Sequence, residues 1–500
     1  MAIRIPLLTK SKYMNGLQCH KLLWYQCHEP TLMPPTDAST QVLYDQGHEI
    51  NKWAQRLYPD GVLIDWDRGF NPALGQTQQA IRDRRTIFEA GLLSNHLFAR
   101  VDILKPAAGD AWDLIEVKSS TSVKEEQLQD VAFQKYVAGD LKLNINRCHL
   151  MLVDNTYVRR GKIDPSALLK TVDVTKEADR NLPAVLNQLR AMRTALARDK
   201  NPDVPIGAHC NEPYLCPLKK MCWAGIPERN VFTLKAAGSL GEELMKAGII
   251  SIKDIPEGIE LTAQQRIQVD CEKTGGPHVD PEGIREFLSR LVYPVYILDF
   301  ETVSPAIPAY DLSKPYQQVP FQYSLHIIEK LDGPKRHLGY LHSGKADPRP
   351  KILKRLQREL GTAGSIAAYN SKFEIMVLND ATQFYPEYRS WFDGIVPRFV
   401  DLYQPFKVFH YYHPSQNGSA SLKAVMPALI GTSYSGLAIG AGALASQEFF
   451  RITFKDVDPE ECSKVRAALE TYCKQDTEGL IYILQALNQL SLGGTPLSLK

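Results

Sequence analysis

The chain has no apolar run approaching the ~20 residues that a membrane-spanning helix needs. Its opening Met-Ala-Ile-Arg-Ile-Pro lacks the layout of a signal sequence. Surplus charge is missing as well: 58 Lys and Arg against 56 Asp and Glu leave a net +2. That balance excludes a blanket cationic surface, so any attraction for nucleic acid must come from a local groove. Cysteine is sparse, nine in all, which argues against a disulfide scaffold and for reduced, intracellular thiols. There is no repeat period, heptad run or low-complexity tract. The expectation is a soluble, cytoplasmic protein in which 44% hydrophobic residues supply two or three separate cores.

What the sequence does contain is acids delivered by short apolar runs. Tyr293-Pro-Val-Tyr-Ile-Leu298 is rich in strand formers and leads into Asp299-Phe300-Glu301-Thr302. The two-residue period of a strand puts Asp299 and Glu301 on one face, where paired hard oxygens suit Mg²⁺ or Mn²⁺. In Tyr472-Cys-Lys-Gln-Asp476 the Tyr and Asp stand one helical turn apart and share a face. Between them, Ser365-Ile-Ala-Ala-Tyr-Asn370-Ser-Lys-Phe373-Glu374 reads as a strand followed by a helix start. Asp401, in Phe399-Val-Asp-Leu-Tyr, follows another short apolar run.

Taken in order, these elements resemble the DnaQ-like, or DEDD, 3′–5′ exonucleases over roughly residues 290–490. The resemblance implies that Asp299, Glu301, Glu374 and Asp476 hold two divalent ions against a scissile phosphate. It further implies that Tyr472 orients the attacking water and that Asp401 fills a secondary acidic position. The family usually carries Asp where Glu374 stands, one methylene shorter.

A second acid-bearing segment lies in the first half. His96-Leu-Phe-Ala-Arg-Val-Asp102-Ile-Leu-Lys, a Pro-Ala-Ala-Gly-Asp turn and Trp112-Asp-Leu-Ile-Glu116-Val-Lys118 read as a hairpin. Glu116 and Lys118 share a strand face, with Asp102 able to sit beside them. Two acids and an ammonium at one point can hold a metal and steady a phosphate. The arrangement resembles the PD-(D/E)XK nucleases, most closely their RecB branch. Three further features match that branch: Gln134 and Tyr136 on a helix over Glu125–Gly139, His48 in the amphipathic stretch Val42–Leu57, and a closing strand at Arg147–Val153. By resemblance, Asp102, Glu116, Lys118 and Gln134 are catalytic and His48 is a metal ligand.

Three cysteines fall in one short stretch, Cys210, Cys216 and Cys222, and Cys19 stands upstream. RecB-type nucleases with an iron–sulfur staple, including those associated with CRISPR systems, split four ligands in this way. The resemblance therefore implies a [4Fe–4S] cluster on Cys19, Cys210, Cys216 and Cys222, with Zn²⁺ on the same thiolates as the alternative. The remaining cysteines, Cys473 among them, read as core or surface thiols.

The expected architecture is α/β: a PD-(D/E)XK restriction-endonuclease-like domain over residues 1–225, a helical linker over 226–290, and an RNase H-like, DnaQ-type domain over 291–500. Within the linker, Gly238–Pro256 reads either as a helix-hairpin-helix-like unit or as a helical spacer. The aromatics of Tyr310–Tyr323 either line a groove for unpaired bases or pack on the sheet. His410–His413 either meets a strand end or forms a structured loop. The pairing resembles an uncharacterised bacterial family that joins a RecB-like to a DnaQ-like domain. It implies a metal-dependent DNA nuclease; a nucleic-acid-binding scaffold with silent sites and an RNA-directed exonuclease remain open. The expected partner is nucleic acid, DNA ahead of RNA.

Overall fold

In the computed structural model, which describes residues 6–495, the chain divides into two compact units. The first is Met1–Gly225 with Pro305–Tyr316; the second is Ile226–Ser304 with Gln317–Lys500. Both are mixed α/β. The segment 226–290, expected as a linker, is helical and falls inside the second unit.

The first unit is built on a 7-stranded sheet of β1 (Leu8–Thr9), β2 (Val62–Leu63), β3 (Ile87–Ser94), β4 (Leu97–Pro106), β5 (Trp112–Lys118), β6 (Ile145–Val153) and β7 (Leu169–Asp173). The order is β2-β3-β4-β5-β6-β7, with β1 paired in parallel to β4. The expected hairpin is β4–β5, antiparallel with Leu104 opposite Leu114. The run expected to close the sheet is instead internal, because β7 adds outside β6 with His149 opposite Asp173.

Alternation along β5 decides what each face meets. Ile115 and Val117 join the core that contains Ile50 and Ala54 of the helix Ala38–Gln55. Trp112 and Leu114 join the core that contains Phe133, Val137 and Ala138 of the helix Glu125–Asp140. Glu116 and Lys118 continue that second face beneath the same helix.

The second unit has a 5-stranded sheet of β9 (Val295–Val303), β10 (Val319–Ile328), β11 (Lys335–Leu341), β12 (Ile366–Ala368) and β13 (Phe399–Asp401), in the order β11-β10-β9-β12-β13. The pairs β9–β10 and β10–β11 are antiparallel, whereas β12 runs parallel to both β9 and β13. A small ribbon pairs β8 (His278–Val279) with β14 (Tyr411–Tyr412). Near-continuous burial of β9 and β10 fits a sheet covered on both faces. Tyr296, Leu298 and Phe300 pack with Ile352, Leu356 and Val377 on one side. Val295 and Ile297 pack with Leu480, Ile483, Leu484 and Leu487 of the 33-residue helix Pro459–Ser491 on the other. Asp299 and Glu301 extend this second face.

Three open readings are decided by the structure. Gly238–Pro256 holds one helix, Gly238–Lys246, and a single 3₁₀ turn, Ile252–Asp254, so it is not a helix pair. The aromatics near Tyr310 pack: Tyr310 and Tyr323 are buried, and Phe321 stacks on Phe449 at 3.9 Å. His410–His413 is a structured element, with Phe409 stacked on Tyr412 at 4.5 Å.

Gly364 controls how β12 docks against β9. Its φ is +88°, and a Cβ there would sit 2.0 Å from the Pro294 carbonyl oxygen. Next to it, the Tyr296 amide donates to the Ser365 carbonyl at 2.8 Å. Gly364→Ala is expected to destabilise the second unit by about 2–3 kcal/mol, through a left-handed backbone and a backbone clash together. Urea unfolding checks this; an unchanged midpoint would contradict it.

Candidate active sites

In the second unit, β9 carries Asp299 and Glu301 under the helix Pro459–Ser491, which presents Tyr472, Cys473 and Asp476. The ligand atoms of Asp299, Glu301 and Cys473 all lie within 4.8 Å of one another. The Cys473 thiol donates to Asp299 Oδ2 at 3.6 Å. Tyr434 donates its hydroxyl to Asp476 Oδ1, and its ring lies 5.8 Å from that of Tyr472. Glu374 is buried on the helix Lys372–Phe384, and its Oε2 has no hydrogen-bond partner among the described residues.

These acids are crowded and desolvated. Burial first, then Asp476, Glu301 and Glu374, push the Asp299 carboxyl well above its usual range. Glu301 rises to about 8 through burial and Asp476, with Lys423 opposing. Glu374 rises to about 8 through burial, aided by Asp401. Asp476 rises to about 6 through burial, held down by the Tyr434 hydrogen bond and Lys423. A cluster of this kind either keeps protons or takes a cation. Asp401 does different work: its carboxylate accepts from the amides of Asn370 (2.8 Å), Ser371 (3.3 Å) and Tyr403 (3.0 Å), fixing the loop ahead of Glu374.

In the first unit the structure brings Asp102, Glu116, Lys118 and Gln134 together. Asp102 Oδ2 accepts from the Val117 amide at 2.7 Å. Glu116 Oε1 accepts from Lys118 at 2.6 Å and from Lys10 at 2.7 Å, while Oε2 accepts from Gln134 at 2.7 Å. Asp130, one turn before Gln134, accepts from Lys118 at 2.7 Å and from Gln134 at 2.8 Å. Burial pushes the Glu116 carboxyl up, but Lys10 and Lys118 outweigh it and hold it well below the usual range. Asp102 moves the other way, to about 8, through burial and the neighbouring Glu116. His48 lies exposed on the helix Ala38–Gln55 and, among the described residues, makes no hydrogen bond to these acids. Three positions further along that helix, Asn51 donates to Glu89 at 2.7 Å.

The four cysteines that the resemblance groups together line one small cavity of about 20 Å³ with Leu22, Pro205 and Leu218. Gln18, beside Cys19, donates to the carbonyls of His209 (2.8 Å) and Tyr214 (2.6 Å), tying the two ends of the unit. All four thiols are free. Burial lifts the Cys216 thiol to about 11, with Cys19, Cys210 and Cys222 adding to the rise.

Several neighbours escaped the sequence reading. Lys10, Asp130 and Tyr434 have no motif spacing that marks them. Cys473, read there as an ordinary thiol, abuts Asp299; its place between Tyr472 and Asp476 was the available signal.

Residues 296–421 match the model of a family described as Domain of unknown function (DUF2779). No curated protein matches the chain. Among solved structures, the family B DNA polymerase from the hyperthermophilic archaeon Pyrobaculum calidifontis is similar at 18% identity, with a TM-score of 0.26. That match covers 39% of this chain and 26% of the polymerase chain, so the protein spans about a quarter of that length. No helix among the described residues is long and apolar enough to cross a membrane.

The raised carboxyls of the second unit set a pH dependence. Glu301 and Glu374 at about 8 and Asp476 at about 6 lie above their unfolded values, so the folded chain holds protons the unfolded chain would release. Their stabilising contribution is full below about pH 4 and is lost as the pH rises through 6 and 8. In EDTA, the melting temperature of the second unit should fall between about pH 6 and pH 8, and Glu301→Gln should flatten the fall. A melting temperature that rises over that window would contradict the assignment.

Proposed function

We propose that the chain is a metal-dependent nuclease hydrolysing phosphodiester bonds of DNA. It would act on ends in repair, recombination or defence, with one candidate site in each unit. The observation that supports this most is the group of half-buried Asp299 with buried Glu301 and Asp476 in the second unit, gathered from one strand and one helix. Buried carboxylates at such density suit a divalent-cation seat better than a structural core.

The strand order β11-β10-β9-β12-β13 favours an RNase H-like, DnaQ-type reading of this unit. Mg²⁺ or Mn²⁺ bound there would stabilise the attacking and leaving oxygens of an in-line displacement. Asp299, Glu301, Glu374 and Asp476 would be the ligands. Tyr434 donates to Asp476, and Tyr472 would orient the attacking water. Glu374 stands where the DnaQ-like family usually has Asp; it is buried, and its carboxyl adds to the rise of Asp299.

For the first unit the reading is PD-(D/E)XK, of the RecB-like type. Asp102 and Glu116 would hold the ion, Lys118 would steady the phosphate or polarise the water, and Gln134 fixes Glu116. The four thiols at the ends of this unit are assigned to a [4Fe–4S] cluster, with Zn²⁺ the alternative. The four thiols line one small cavity, and the same thiolates would hold either group.

End-labelled single- and double-stranded DNA tests the activity. Glu116→Ala should abolish the digestion that depends on the first site, and Asp299→Ala that of the second. Tyr472→Phe should lower turnover of the second site about 10²-fold with little change in KM. Equal digestion by all variants and wild type would remove both sites from consideration. Binding that survives EDTA without cleavage in Mg²⁺ or Mn²⁺ would instead indicate a scaffold, and competition by matched RNA would decide the sugar. Anaerobically purified protein should be brown, with broad visible absorption that Cys210→Ser removes; a colourless protein with stoichiometric zinc would overturn the cluster.

A further inference from the structure

Lys10 opens the helix Lys10–Gln18, at the end of a helix where the dipole disfavours a cation. Its ammonium nevertheless lies 2.7 Å from Glu116 Oε1 and 3.7 Å from Asp130 Oδ2. Lys118 meets the same two carboxylates at 2.6 and 2.7 Å. Two like charges therefore share one carboxylate oxygen, though a single lysine beside Glu116 satisfies the chemistry proposed for the site.

The position of Lys10 is built rather than incidental. β1 pairs with β4 through Leu8 opposite Leu97 and Thr9 opposite Phe98, which sets where the helix begins. The Thr9 side chain caps that helix by accepting from the Lys12 amide at 3.3 Å. One turn on, Tyr13 stacks on Phe133 at 4.5 Å, locking the helix against the one that carries Asp130 and Gln134. The Lys10 side chain is 25% exposed, against 1% for Glu116.

We propose that Lys10 is a built-in counter-cation of the first site: its ammonium occupies the place on Glu116 Oε1 that a divalent ion takes, and the ion enters only as Lys10 swings outward. This rests on the metal site proposed above for the first unit. An ion bound with Lys10 in place would face two ammoniums at contact distance, a repulsion that a buried site does not screen. Lys10 thus raises the ion concentration at which the site loads. It also gives that site a cation dependence separate from that of the second unit, whose acids have no lysine at hydrogen-bond distance among the described residues.

The test uses the full chain carrying Asp299→Asn and Asp476→Asn, which silence the second seat, titrated with Mn²⁺ alone and read by electron paramagnetic resonance. Lys10→Met should tighten the binding that Glu116→Gln removes by about ten-fold. Lys10→Arg, which keeps the charge, should bind as the parent does, and Lys10→Gln serves as a second neutral variant if the Met form does not fold. Unchanged or weaker binding by the neutral variants overturns the proposal and leaves the metal site standing. Tightening by Lys10→Arg equal to that by Lys10→Met also overturns it, since charge would not be the cause. If the parent and every Lys10 variant bind no Mn²⁺ that depends on Glu116, the metal-site reading itself falls.

Discussion

A carboxylate removed from water beneath a helix must find a counter-charge or keep a proton, and both candidate sites are shaped by that requirement. Neither Glu116 nor Glu301 is an exposed surface acid. Each lies on the covered face of a central strand, in line with residues that build the adjacent core. Leaving such a group charged and alone would cost several kcal/mol, so its surroundings disclose what neutralises it.

The two units answer the requirement differently. In the first, the counter-charge belongs to the protein: two lysines and Gln134 surround Glu116, which stays ionised. In the second, burial and then neighbouring acids push the Asp299 and Glu301 carboxyls upward, so they hold protons more tightly than exposed acids do. The construction beneath is nonetheless common to both. A strand face of period two runs from apolar to acidic, while the covering helix changes character at the same level, from Val137 and Ala138 back to Gln134 and Asp130, or from Leu480 back to Asp476 and Tyr472. Apolar packing along each strand–helix pair supplies stability of the order of 1.5–3 kcal/mol per buried large side chain, and so fixes the polar end in place.

Much of this was legible in the sequence alone. The hairpin across Asp102 and Glu116, the helix carrying Gln134, the strand ending in Asp299 and Glu301, and the helix start at Glu374 follow from local periodicity, and they occur where periodicity puts them. Local pattern could not show what depends on tertiary approach. Lys10 reaches Glu116 across more than a hundred residues, and Tyr434 reaches Asp476 from a loop without a motif. Likewise, β7 displaced β6 from the sheet edge because a short polar strand, Leu-Lys-Thr-Val-Asp, carries little alternation to announce itself. His48, chosen by resemblance alone, stands exposed on the helix Ala38–Gln55.

The most direct measurement is the anomalous scattering of Mn²⁺ soaked into crystals of the full chain. The account predicts peaks between Asp299, Glu301 and Asp476 and beside Asp102 and Glu116, with Lys10 displaced at the latter. Ordered manganese elsewhere, with both acid clusters still empty at saturating ion, would contradict it.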